Sequence, residues 1–235
     1  MQFKQHYSSS SGNLYEVAAS NGQRLMLEMG VAWPKVQKAF DYNLSNIQGA
    51  FLTHCHFDHC KAVKDVISAG IDVYASAGTW TSLGIYNERR TKFIKDKDLI
   101  RLKDFRVYAF ALNHDAVEPL GFIIRDKDEY LLFAPDTSYI TQRFKIPFSI
   151  IAIECSFDKD ILHRRVCNSD VNEELAKRLL TSHLEKSETM RYIEKFCDKS
   201  KCREIHLLHM SDGNIDKEQT RKEFEKRFFV TTIIR

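Results

Sequence analysis

Seven consecutive residues constrain this chain more than any others: Thr53-His54-Cys55-His56-Phe57-Asp58-His59, directly after the apolar run Gly49-Ala50-Phe51-Leu52. Three imidazoles and one carboxylate within six residues are expensive to bury unless something satisfies them, and a divalent cation does so directly. At the C-terminal end of a strand the two-residue period points His54 and His56 the same way, while Asp58 and His59 turn toward a second position where a helix begins. Two adjacent metal positions follow from that spacing.

The remaining ligands of such positions should be isolated His or Asp residues at other strand ends, because a sheet brings those ends to one rim. Apolar and β-branched runs bounded by turn residues predict strands over 14–17, 24–29, 50–52, 71–74, 105–112, 121–125, 130–133, 149–154 and 204–208. His114 closes the 105–112 strand, Asp136 follows the 130–133 strand, and His209 ends the 205–208 run. His6, His163 and His206 lack this setting, and no chemical role is assigned to them. Helical spacing is read over 61–69, 172–180, 188–196 and 216–227. Strands therefore dominate the first two thirds, with helices entering between strands near the end. That order suits a layered α/β sandwich better than a doubly wound nucleotide fold, which alternates strand and helix from its start. No repeat or long linker interrupts the chain, so residues 1–235 are read as one domain.

Composition narrows the partners. With 35 Lys+Arg against 32 Asp+Glu the net charge is +3, far from the basic track that dominates nucleic-acid affinity. The first residues contain no apolar signal region, and no window approaches the ~18 apolar residues of a spanning helix. A soluble, cytoplasmic protein without a membrane partner is expected. Cys55, Cys60, Cys155, Cys167, Cys197 and Cys202 are spread through a chain large enough to bury a core without staples, so reduced thiols are expected. The turn Ser8-Ser9-Ser10-Ser11-Gly12-Asn13 carries no phosphate-loop spacing and precedes a strand where such loops need a helix. It is read as a polar turn at one edge of a site.

His54-x-His56-x-Asp58-His59, followed by single His114, Asp136 and His209, resembles the metallo-β-lactamase superfamily over essentially the whole chain. The resemblance implies an α/β fold, the metallo-β-lactamase αββα sandwich of two mixed sheets flanked by helices, with two metals at one sheet edge. It implies His54, His56 and His114 on one ion, Asp58, His59 and His209 on the other, and Asp136 bridging. A nitrogen-rich donor set supplemented by oxygen suits zinc, with manganese or iron as runners-up. One departure is Glu28 in Leu27-Glu28-Met29-Gly30, where the family usually places Asp; the longer acid must reach the ligands from behind.

Within the superfamily, Ile153-Glu154-Cys155-Ser156-Phe157 and Ser182-His183-Leu184 resemble the Glu-bearing strand end and the extra His of ribonuclease Z and its small relatives. His209-Met210-Ser211-Asp212-Gly213-Asn214 and His114-Asp115-Ala116-Val117-Glu118-Pro119 resemble the small phosphodiesterase and exonuclease members, including the YycJ type. The implied reaction is phosphodiester hydrolysis. His183 then protonates the departing alkoxide, Glu154 orients that imidazole, and Asp58 positions the nucleophilic water in addition to ligating. The 22 positions between His114 and Asp136, and the 73 between Asp136 and His209, leave no room for the arm of ribonuclease Z or for an inserted nuclease domain. A small nucleotide substrate is expected, foremost a 3′,5′-cyclic nucleotide as degraded by enzymes of the anti-Pycsar type, with a DNA or RNA exonuclease as the alternative. A metal-dependent binding protein without turnover is the reading from a different class. Phe157, Tyr139 and Tyr86 are candidates for base stacking, Arg89-Arg90 and Arg164-Arg165 are read as solvated surface, and the resemblance implies a homodimer.

Overall fold

A computed structural model describes residues 1–86 and 89–235. Contacts gather the chain into two compact units, Met1–Ala111 with Ala116–Glu129, and Leu112–Asp115 with Tyr130–Arg235.

The first unit begins with three antiparallel strands, β1 (Gln2–Ser9), β2 (Gly12–Ala18) and β3 (Arg24–Leu27). From β3 onward each strand returns in parallel through a short helix. α1 (Trp33–Ala39) leads to β4 (Ile47–Phe51), α2 (Phe57–Cys60) and α3 (Val63–Ser68) to β5 (Val73–Ala75), and α4 (Ala77–Leu83) to β6 (Thr91–Phe93). The result is a six-stranded mixed sheet in sequential order β1 to β6. Its helix-covered face buries Leu14, Met26, Val36, Phe40, Leu52, Val66 and Trp80. β7 (Leu99–Arg101), β8 (Phe105–Ala111) and β9 (Leu120–Asp126) are joined antiparallel. The Phe51 ring on β4 meets Phe122 on β9 edge-on at 5.4 Å, so the two sheets of this unit pack through aromatic side chains.

The second unit holds β10 (Glu129–Ala134), β11 (Phe144–Pro147), β12 (Ile150–Glu154), α5 (Lys159–Cys167), α6 (Glu173–Ser182), α7 (Lys186–Phe196), β13 (Cys197–Asp198), β14 (Glu204–Leu208), α8 (Lys217–Phe228) and β15 (Thr231–Ile234). β10, β12, β14 and β15 run parallel in that order. β12 is buried along its whole length, as an apolar run covered on both faces of a parallel sheet must be. Asp158, Asn172, Glu185 and Asp216 cap their helices by accepting backbone N–H groups of the first turn. In a parallel ladder, neighbouring strands end side by side, about 4.8 Å apart. The ladder therefore lines up whatever follows Ala134, Glu154 and Leu208.

Each predicted strand and helix has a counterpart, with two corrections. The 24–29 strand stops at Leu27 because Glu28 adopts φ +59°, a left-handed conformation that ends a ladder. Helices do not wait until the last third: α1 to α4 all lie before residue 84. The 61–69 helix, seen as α3, is the one that spacing gives; α1, α2 and α4 are only four to seven residues long, too short for helical periodicity to register. α4 is defined instead by its ends, with Ser76 accepting Thr79 N–H and Gly84 left-handed at φ +64°.

The 28–31 segment presses directly on the motif that follows β4. Met29 N–H donates to His59 O, Ala62 N–H to Met29 O and Gly30 N–H to Asn13 O. A Cβ on Gly30 would lie 1.6 Å from the Asp58 carbonyl oxygen, so only glycine allows this approach. Gly30→Ala is expected to destabilise the protein by about 3 kcal/mol and to lower its thermal midpoint, measured by calorimetry; an unchanged midpoint would show that the two segments separate readily.

Candidate metal centre

In the first unit β4 ends at Phe51 and the chain continues irregularly to His56, the N-cap residue of α2. The single turn of α2 then carries Asp58 and His59. His54 and His59 are buried, while His56 and Asp58 are half-buried. The ring centroids of His54 and His56 lie 4.6 Å apart and those of His54 and His59 4.1 Å apart. Three imidazoles so close together repel one another when protonated; neutral rings beside a carboxylate suit a divalent cation. Thr53 Oγ1 lies 2.9 Å from His54 Nδ1, which makes Nε2 the ligating nitrogen in a metal complex.

Two residues behind this motif hold it. Glu28, fully buried, places Oε2 3.4 Å from His59 Nδ1 and accepts the Thr53 N–H at 3.3 Å. The longer acid thus reaches the His59 ring from behind. Burial pushes the Glu28 carboxyl up, against the opposing pull of His59 and Thr53. Asn13, at the start of β2, donates from Nδ2 toward Asp58 Oδ2 at 3.2 Å, and its Nδ2 lies 3.0 Å from His59 Nε2. By its residues alone the Ser8–Asn13 turn is no more than the edge of a site; the β1–β2 hairpin brings the Asn13 amide to the motif.

In the second unit the parallel ladder brings Asp136, Glu154 and His209 together from the ends of β10, β12 and β14. His209 Nε2 is 3.6 Å from Asp136 Oδ2, and its Nδ1 is 3.8 Å from Glu154 Oε1. His209 sits at φ +51°, a strained conformation for a side chain other than glycine, of the kind that clusters at functional sites. His114 joins this group through the 112–115 segment. Asn113 N–H donates to Thr137 Oγ1, and Ser138 N–H donates to Asn113 O. His114 Nε2 lies 3.8 Å from Asp136 Oδ2, and its Nδ1 lies 2.8 Å from Ser182 O. The Nδ1–H therefore donates to that carbonyl, which leaves Nε2 as the nitrogen that a metal ion would meet. Asp115 lies 3.1 Å from His114 Nε2 and is bound by Arg178 at 3.2 Å; the sequence offers it only as part of the His114–Pro119 resemblance, with no role assigned to it.

His183 is the C-cap residue of α6. Its ring stacks on His209 at 5.3 Å and meets His114 edge-on at 5.2 Å. Its Nδ1–H donates to Glu154 Oε1 at 2.6 Å. Glu154 has no exposed surface; its Oε2 accepts the N–H groups of Thr137 at 2.6 Å and Leu184 at 3.2 Å, so the carboxylate cannot turn away. Burial pulls the His183 imidazole toward its neutral form, but the Glu154 carboxylate, aided by Asp136 and Asp115, overrides it and raises the pKa to about 9. The first unit therefore assembles His54, His56, Asp58 and His59, and the second His114, Asp136, Glu154, His183 and His209. One stacking candidate fails: Phe157 is 1% exposed and packed against Leu162, Val171 and Leu179. Tyr86 and Tyr139 are exposed. All six cysteines are free thiols. No helix among the described residues is long and apolar enough to cross a membrane.

A beta-lactamase superfamily domain matches residues 31–204, and the chain belongs to that superfamily. Exodeoxyribonuclease YycJ of Bacillus anthracis is 27% identical over 148 residues, covering 59% of this chain and 55% of that protein. The chain thus matches about half the length of that relative. Among solved structures, the metallo-β-lactamase fold protein YhfI of Bacillus subtilis has a TM-score of 0.75 at 17% identity, covering 99% of this chain and 95% of its own. Zinc-bound PqqB of Methylobacterium extorquens has a TM-score of 0.70 at 14% identity, covering 100% and 98%. These likenesses establish the metallo-β-lactamase fold, α/β with mixed sheets flanked by helices.

Glu154→Gln is expected to lower the His183 pKa by about one to three pH units in metal-free protein, followed by the NMR shifts of its ring. Because the folded value lies above the ordinary imidazole range, the ion pair stabilises the fold fully below that range. Its contribution disappears as the pH rises through about 9. In Glu154→Gln this part of the pH dependence of the thermal midpoint should vanish; an unmoved His183 titration would mean that another group holds the proton.

Proposed function

We propose that the chain is a divalent-metal-dependent phosphodiesterase, with 3′,5′-cyclic nucleotides as its preferred substrates. His54, His56, Asp58, His59, His114, Asp136 and His209 are the residues proposed to hold two divalent ions, zinc foremost. Such ions, when bound, lower the pKa of water and neutralise charge on a phosphoryl group. The observation that carries the reading is the His183–Glu154 pair, a charge-assisted hydrogen bond of 2.6 Å beside Asp136 and His209. A phosphodiesterase must protonate a leaving alkoxide, and a histidine kept charged at neutral pH is suited to do so. Nδ1 is committed to Glu154, so Nε2 is the atom that gives up the proton. Glu154 orients the ring and stabilises its charge, as a carboxylate partner does for a catalytic imidazole. Asp58 orients the attacking water in addition to ligating.

A small substrate is supported by the net charge of +3, which supplies no extended basic track. The match to exodeoxyribonuclease YycJ favours a second reading, an exonuclease using the same residues. Incubating the metal-loaded protein with 3′,5′-cyclic nucleotides and with single-stranded oligonucleotides separates the two. Opening of the cyclic nucleotide with slow attack on the oligonucleotide is expected; shortened oligonucleotides beside intact cyclic nucleotide would make it an exonuclease. If metal binds but neither substrate nor bis(p-nitrophenyl) phosphate is hydrolysed, the chain is a binding protein. The remaining proposals, a cytoplasmic location and a homodimer, are checked by fractionation and by sedimentation.

His183→Ala is expected to retain bound metal by elemental analysis while turnover falls about 10²- to 10⁴-fold. Loss of metal instead would make His183 a ligand. His56→Ala should lower both metal content and turnover, and chelation of the wild type should abolish activity that added zinc or manganese restores.

A further inference from the structure

α2 turns His59 and Cys60 inward and leaves Phe57 68% exposed. Scattered apolar residues on a surface are ordinary, and Tyr42, Phe93 and Phe229 are of that kind, remote in sequence from every proposed ligand. Phe57 differs by its place: it lies between His56 and Asp58, and no residue can be closer in the chain to both. The side chain adds nothing to the buried cluster of this unit, which takes Cys60, Ala62 and Val63 from the same stretch. Its ring is nevertheless held. The Lys61 ammonium lies 5.2 Å from the ring centroid, an i,i+4 pairing that restrains the ring by a cation–π contact. Lys61 covers one face of the ring and brings a positive charge beside it.

We infer that Phe57 is a stacking platform for the nucleobase of the substrate, so that it determines specificity for nucleotides over phosphodiesters that carry no base. The inference rests on the phosphodiesterase reading above and names the part of the substrate that this residue recognises. Every nucleobase offers a π-face, so an aromatic platform favours nucleotides without selecting one base. Phe57 stands between two proposed ligands in the chain, so a base stacked on its ring is held by the same turn of helix that carries Asp58 and His59. Lys61 adds attraction for the anionic substrate. Phe157, buried in the core of the second unit, cannot take this part.

The test uses the metal-loaded full chain and two probes, adenosine 5′-monophosphate and ribose 5-phosphate, titrated calorimetrically into wild type, Phe57→Ala and Phe57→Trp. Zinc content and far-UV circular dichroism are measured on each variant. The wild type should bind the nucleotide more tightly than the sugar phosphate. Phe57→Ala should reduce that preference by about 5- to 150-fold, and Phe57→Trp should retain it. A preference unchanged in Phe57→Ala, absent in the wild type, or lost only together with bound metal or fold, overturns the platform. Hydrolysis of cyclic adenosine monophosphate by the same samples keeps the two proposals apart. Selective loss of nucleotide binding without any wild-type turnover sinks the catalytic reading and leaves the platform standing. Wild-type turnover with an unchanged binding preference does the reverse.

Discussion

A carboxylate with no access to water cannot be tolerated unless its oxygens are satisfied, and Glu154 organises the second unit around that requirement. It ends a strand buried along its whole length. Its oxygens take Thr137 N–H from the segment after β10, Leu184 N–H from the segment after α6, and the His183 ring. Its backbone carbonyl accepts the Thr189 hydroxyl of α7. One side chain therefore fixes the loop bearing Asp136 and the loop bearing His183, while the backbone of the same residue holds the start of α7. Removing the charge would leave buried N–H donors poorly matched, each worth about 1–3 kcal/mol when unsatisfied. It would also release the imidazole that the pair keeps protonated.

Glu28 does the corresponding work in the first unit by a different route. It too is fully buried, yet it meets His59 through a strained left-handed residue at a strand end instead of a regular ladder. Its hydrogen bond from Thr53 N–H and the close approach of Gly30 to Asp58 O hold the His54–His59 motif against β3 and β2. Strained residues at Glu28 and His209 mark the same economy in both units. Strand ends are the places where a backbone can leave its ladder to aim one side chain.

Much of this was legible in the residues. The His54–His59 spacing, and the isolated His114, Asp136 and His209 after predicted strands, are local patterns readable before any packing is known, although His54 and His56 lie in irregular chain beyond the end of β4 and not in a strand. Asn13 is legible only as part of a polar turn at a site edge, and Asp115 only as part of the His114–Pro119 segment; the contacts that give each its place, to Asp58 and to Arg178, come from segments far away in the chain. The helices α1, α2 and α4 were missed for a related reason. In α4, Ser76, Gly84 and the burial of Trp80 prevail over a sequence containing glycine and two threonines. Phe157 reads as a stacking candidate because an aromatic residue soon after the Glu154 strand end looks the same in the sequence whether it faces solvent or core.

By itself the amino-acid sequence determined which chemical groups this protein offers and in what local order: imidazoles and carboxylates at strand ends, free thiols, and nearly balanced charge. Chain connectivity and side-chain periodicity are enough for that. Only the tertiary structure decided which groups meet. The parallel order β10-β12-β14 sets Asp136, Glu154 and His209 side by side, and the carbonyl of Ser182 selects the nitrogen that His114 presents. Proximity between residues tens of positions apart arises from strand pairing and buried hydrogen bonds, whose energy depends on the whole unit being folded.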